Sequence, residues 1–117
     1  MTSAPQFSHL FVHVKSLSES RSFYVDKLGL RVLLEEPGYL RVGGGGGFHI
    51  GMEETADDLD ADGVEVNVRV PDVDAAYGRL TAIGIIFEAP PEDMPWGARH
   101  AWLRDPSGHR LSIFTDR

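Results

Sequence analysis

The chain has 117 residues, 42% of them apolar and 25% charged, which suits one folded domain or two small half-domains sharing a core and does not suit disorder. With 11 basic against 18 acidic residues the net charge is −7, which argues against nucleic acid and admits a neutral or cationic ligand. No Cys is present, so a disulfide framework, a thiolate metal site and a Cys nucleophile are excluded; with no secretory leader and no apolar run of bilayer length, a cytoplasmic protein that touches no membrane is expected.

In chain order, Met1–Phe7 reads as a short leader, and a strand follows from His9. Strand side chains alternate, so Leu10, Val12 and Val14 form its core face while His9, Phe11 and His13 share the other. Ser16 with Glu19 three residues on is a capping box that opens a helix. Gly29 stands where that helix would end in a left-handed residue. Leu17, Phe23, Tyr24 and Leu28 make its apolar stripe, although they keep the helical period only loosely. Strands are predicted at Leu30–Leu34 and Tyr39–Val42, then a hairpin loop at Gly43–Gly47 and a strand through Phe48–Met52. The glycine run is no phosphate cradle, because it leads into a strand where such a loop must open a helix. The acidic stretch Glu53–Gly63 lacks the central Gly and terminal Glu of a calcium loop and reads as a solvated linker.

A diverged copy of the first unit begins at Glu65. Val14-Lys15-Ser16-Leu17 lies over Val70-Pro71-Asp72-Val73, and the same offset carries His9 onto Glu65 and His13 onto Arg69. Here Val66, Val68 and Val70 are the core face, and Asp72 caps a helix whose stripe is Val73, Ala76, Tyr77, Leu80 and Ile83, with Gly84 at its end. Strands are predicted at Ile85–Ala89, Arg99–Arg104 and Arg110–Thr115, with a loop at Pro90–Gly97. Tyr39-Leu40-Arg41-Val42 matches Trp102-Leu103-Arg104-Asp105, which would carry His49 onto Ser112. Each half therefore reads β-α-β-β-β, with module one at about 7–53, a linker at about 54–63 and module two at about 64–115.

The paired modules, the stretch Phe23-Tyr24-Val25-Asp26-Lys27-Leu28-Gly29-Leu30, and Pro95–Phe114 (PWGARHAWLRDPSGHRLSIF) together resemble the glyoxalase / bleomycin resistance / extradiol dioxygenase superfamily. The Pro-Trp-Gly-Ala-Arg and Leu-Arg-Asp-Pro-Ser-Gly segments most resemble its bleomycin resistance branch. The resemblance implies an α+β fold of two βαβββ modules whose curled mixed sheets surround a cleft, usually in a homodimer and sometimes with strand exchange. It also implies metal-ligand positions on the first and last strand of each module, which fall here on His9, His49, Glu65 and Ser112. His9, His49 and Glu65 would suit Fe, Mn, Ni or Zn, whereas Ser112 stands where related enzymes usually carry Glu. His13 falls on a substrate-contacting position of glyoxalase-like enzymes.

Two readings follow. One is a metal-free binder of a small, planar or cationic, antibiotic-like molecule, held by Phe11, His13, Arg69, Trp96, Trp102, Ser112 and Phe114. The other is a metal-dependent dioxygenase, isomerase or lyase built on His9, His49 and Glu65. Trp96 is singled out among the aromatics, because a loop flanked by Pro and Gly cannot lie in a central core. His100 reads as a structural strand residue and His109 as exposed.

Overall fold

A computed structural model describes residues 9–59 and 64–116; the leader at Met1–Phe7 and the end of the linker at 60–63 lie outside them. The chain divides into two compact units, Met1–Leu59 and Asp60–Arg117. The first holds β1 (His9–Val14), a helix α1 (Leu17–Arg21) that runs on as a π-helical turn (Ser22–Lys27), β2 (Arg31–Glu36), β3 (Tyr39–Gly43) and β4 (His49–Glu54). The second holds β5 (Glu65–Arg69), α2 (Val73–Ala82), a two-residue β6 (Glu92–Asp93), β7 (Ala98–Arg104) and β8 (Arg110–Asp116). Each unit is a four-stranded mixed sheet, ordered β1-β4-β3-β2 in one and β5-β8-β7-β6 in the other. The first and last strands of each unit pair in parallel and the other neighbours antiparallel. Among the described residues no helix is long and apolar enough to cross a membrane.

Local chemistry accounts for the helix ends. Ser16 accepts from the Glu19 N–H at 3.1 Å, and Asp72 accepts from the Asp74 and Ala75 N–H groups at 3.0 and 3.1 Å. Gly29 and Gly84 end their helices at φ 88° and 98°, a conformation that a side chain opposes. The loose stripe of the first helix has its cause in the π-helical turn, which adds a residue to the turn and rotates Phe23 and Tyr24 into the core together. Alternation then sorts the strands: Val14, Leu40, Val42, Ile50 and Met52 are buried in the first unit, and Leu103, Leu111 and Ile113 join Val73, Ala76 and Leu80 in the second.

Two expectations need correction. No strand runs through Ile85–Ala89; a single bridge joins Phe87 to Leu103, with the Glu88 N–H bonded to the Trp102 carbonyl at 2.8 Å. Pro90 and Pro91 then offer no N–H, so the ladder cannot continue there and resumes only at β6. The second correction is one of register. His9 lies opposite His49, but Glu65 lies opposite Arg110, and Ser112 lies opposite Asn67 and Trp102. Arg110, rather than Ser112, therefore holds the place of His49.

The same register puts Ser112 in the place of Gly51 and His100 in that of Tyr39. A methyl group on Gly51 would stand 2.5 Å from the Tyr39 hydroxyl and 3.2 Å from its Cζ. Gly51→Ala is accordingly expected to displace the Tyr39 ring and lower stability by about 1–3 kcal/mol in urea denaturation. Combined with Tyr39→Phe, which removes the nearest atom, the loss should be smaller than the sum of the two single effects.

Candidate functional site

The outward face of β5, β8 and β7 carries the equipped side chains of the second unit. Arg69, Phe114 and His100 stand side by side across the three strands, and Asn67, Ser112 and Trp102 form the next row. Ser112 is the small residue in the middle, and the neighbouring rings close over it. The His100 ring stacks on Trp102 at 5.0 Å and 13° and on Phe114 at 5.0 Å and 12°. Guanidinium groups cap both ends, Arg69 at 5.0 Å from the Phe114 centroid and Arg110 at 5.2 Å from that of Trp102. The result is a continuous column: Arg69, Phe114, His100, Trp102, Arg110. Each ring pair and each cap contributes on the order of 1 kcal/mol.

Carboxylates hold the caps in place. Asp116 accepts from Arg69 Nε at 2.9 Å, and Glu65 accepts from Arg110 Nη1 at 3.1 Å and from Trp102 Nε1 at 3.0 Å. Glu88 takes two further bonds from Arg110, which with the charges of Glu88 and Glu65 hold the guanidinium pKa above its ordinary value.

A directional ladder of hydrogen bonds runs through the column. The indole N–H of Trp96 donates to His100 Nε2 at 3.2 Å, so that nitrogen is an acceptor. The proton of the neutral ring then sits on Nδ1 and is donated to Ser112 Oγ, whose own hydroxyl points to the Ile113 carbonyl at 3.5 Å. Ser112 is fully buried, so it positions His100 and is not exposed as a nucleophile. Trp96 crosses the edge of the His100 ring at 74° and is 64% exposed. Around these groups lies a cleft of about 560 Å³, lined also by Glu65, Asn67, Ala98 and Asp116. Its volume suits a small organic molecule, and its walls are the edges of the stacked rings and the exposed Trp96, interspersed with polar groups.

The structure thus brings Trp96, Trp102, Phe114 and Glu65 to one cleft, with Ser112 beneath it and Arg69 at its end. Phe11 and His13 lie on the corresponding face of the first unit, where their rings meet edge to face at 5.2 Å. His100, Asn67, Arg110 and Asp116 line the cleft and were not foreseen as site residues. The missed signal was the alternation of β7, which places His100 on the same face as Trp102.

The donors implied for a metal do not fit one as they stand. His9 and His49 stack face to face at 5.0 Å and 6°, so their in-plane lone pairs run parallel instead of converging on a point about 2 Å from both. Glu65 Oε1 already accepts two hydrogen bonds, and the Ser112 hydroxyl is engaged by His100. Among the described residues no group of three or more His, Asp or Glu side chains is gathered as a ligand set.

The fold and its aromatic cleft define an α+β protein of two βαβββ modules. The sequence matches the family model described as Glyoxalase/Bleomycin resistance protein/Dioxygenase superfamily over residues 6–113, and the chain belongs to that superfamily. It is similar to a glyoxalase/bleomycin resistance protein/dioxygenase from Nocardioides, with 28% identity and TM-score 0.80, over 99% of this chain and 86% of that one. TnmS3, an antibiotic binding protein from Streptomyces sp. CB03234, has the same fold, with 24% identity and TM-score 0.85 over 100% of both chains. So does a lactoylglutathione lyase from Agrobacterium tumefaciens, with 20% identity and TM-score 0.77, over 97% of this chain and 96% of that one. A search of curated protein sequences returns no match.

Ser112→Ala leaves the His100 Nδ1 donor buried without its acceptor. The expected cost is about 1–3 kcal/mol in urea denaturation, against a few tenths for an exposed control such as Ser18→Ala.

Proposed function

We propose that this protein binds a small planar aromatic molecule, of the antibiotic-like kind, in the cleft of its second unit. The observation that carries the reading is the column of Phe114, His100 and Trp102, stacked within 13° of parallel and clamped by Arg69 and Arg110. A ligand meets rings that are already ordered, so little side-chain entropy is lost on binding. The carboxylates of Glu65 and Asp116 are each matched by a guanidinium, so the lining gives a cationic ligand no advantage, and a planar ligand would lay its face against the ring edges of the column. TnmS3 supports the class of ligand only in that an antibiotic binding protein uses this fold. A homodimer and a cytoplasmic location belong to the same proposal.

The second reading is a metal-dependent enzyme with Fe, Mn, Ni or Zn on His9, His49 and Glu65. It takes support from the pairing of His9 with His49 across β1 and β4, and it requires their stacked rings to turn toward a common point. Titration with acridine, followed by the quenching of Trp fluorescence, tests the binder. Saturable quenching is expected, and Trp102→Ala should weaken it about tenfold or more, in line with the loss of a central aromatic anchor. Near-stoichiometric metal in protein purified without chelator, lost on His9→Ala, with no quenching by acridine, would instead establish the enzyme.

A further inference from the structure

Trp96 is an exposed aromatic side chain that makes a specific bond. It lies on the loop before β7, crosses the edge of the His100 ring at 74°, and gives its indole N–H to Nε2 at 3.2 Å. His100 is only 7% exposed, its two faces are covered by Trp102 and Phe114, and its Nδ1 is taken by Ser112. The Nε2 lone pair is thus the ring's remaining polar position, and Trp96, which also lines the cleft, satisfies it.

We infer that Trp96 is a placeholder in the cleft, and that the ligand is a planar aromatic carrying an N–H or O–H donor on its edge, which replaces the Trp96 N–H at His100 Nε2. The inference rests on the cleft being the ligand site. Three features support it. Trp96 is held by one hydrogen bond and one edge contact while most of its surface faces solvent, so releasing it uncovers little apolar area. Gly97, at φ 94°, closes a turn held by its own N–H on the Met94 carbonyl at 3.1 Å and by the Met94 N–H on the Ala98 carbonyl at 2.8 Å, so Trp96 can swing out by its side-chain torsions while the backbone stays in place. The N–H of Trp96 is what marks Nε2 as the acceptor, and a ligand donor in its place would hold the same tautomer, with Ser112 accepting at Nδ1. A ligand lacking a donor would leave that nitrogen unpaired inside an apolar cleft, which is how a single hydrogen bond becomes a selectivity filter.

Indole and benzofuran test this directly, because they share size and flatness and differ only in N–H against O. Binding is followed by two-dimensional amide NMR titration on the wild type, Trp96→Phe and His100→Phe, with thermal melts confirming that each variant is folded. Wild type should prefer indole about 3- to 10-fold, the worth of one net hydrogen bond. Trp96→Phe, which keeps a ring but removes the competing donor, should tighten both probes several-fold and leave indole preferred, because neither then has to break the Trp96 bond. His100→Phe should bring the ratio to about one. Equal binding of the two probes to wild type, or an affinity for indole unchanged in Trp96→Phe, overturns the inference and leaves the aromatic cleft intact as a ligand site. Failure of both probes to bind wild type and Trp96→Phe alike overturns the cleft reading and this inference with it. Trp96→Phe changes an exposed loop residue, so the test stands even if His100→Phe does not fold.

Discussion

The second unit is organised around the contact between a buried serine and the histidine above it. Ser112 occupies the centre of β8 with Asn67 on one side and Trp102 on the other. A larger residue would fill the space over which His100 leans. A residue without a hydroxyl would leave its Nδ1 unpaired. Because that bond fixes the imidazole, Phe114 and Trp102 can stack on its two faces, and the arginines can settle on the outer rings. The charges come last and are the least valuable part, since exposed ion pairs such as Arg69–Asp116 contribute little on their own. What they add is direction: they keep the end rings upright and the local charge balanced.

The first unit shows the same backbone with other chemistry. Tyr39 takes the place of His100, Gly51 that of Ser112, and Arg41 that of Trp102. Tyrosine reaches further than histidine, and its hydroxyl sits where a Cβ at position 51 would be, so glycine is required. Histidine is shorter and leaves room for a serine, which it then bonds. One pair fills its gap with a longer ring and the other with a hydrogen bond. The tighter solution gives an arginine–tyrosine contact, with Arg41 at 5.7 Å from the Tyr39 centroid; the looser one gives an aromatic column.

Much of this was legible in the sequence, and the failures have physical causes. Alternation placed Leu10, Val12 and Val14 against His9, Phe11 and His13, and capping residues marked both helix starts. The two-module organisation followed from the offset that relates Val14–Leu17 to Val70–Val73. The later strands were set against each other wrongly, because the shared Leu-Arg of Leu40-Arg41 and Leu103-Arg104 suggested a register that hydrogen bonding does not adopt. A slip of two residues preserves every face, so periodicity cannot detect it. His100 was passed over for a related reason. Alternation in β7 gives its face, but its role depends on side chains that are distant in sequence, Ser112 and Phe114, which local pattern does not identify.

The superfamily supplies a scaffold that hosts enzymes and binders alike, so function must be argued from the side chains on the sheet. Here those side chains form an ordered aromatic wall with one hydrogen-bond acceptor set into it, and the acceptor exists only if the His100 proton is on Nδ1. Long-range proton–nitrogen correlation NMR of nitrogen-15 histidine-labelled protein at neutral pH reads that proton directly. A protonated Nδ1 and an unprotonated Nε2 are expected for His100. The opposite tautomer, or an imidazolium protonated on both nitrogens, would contradict that expectation.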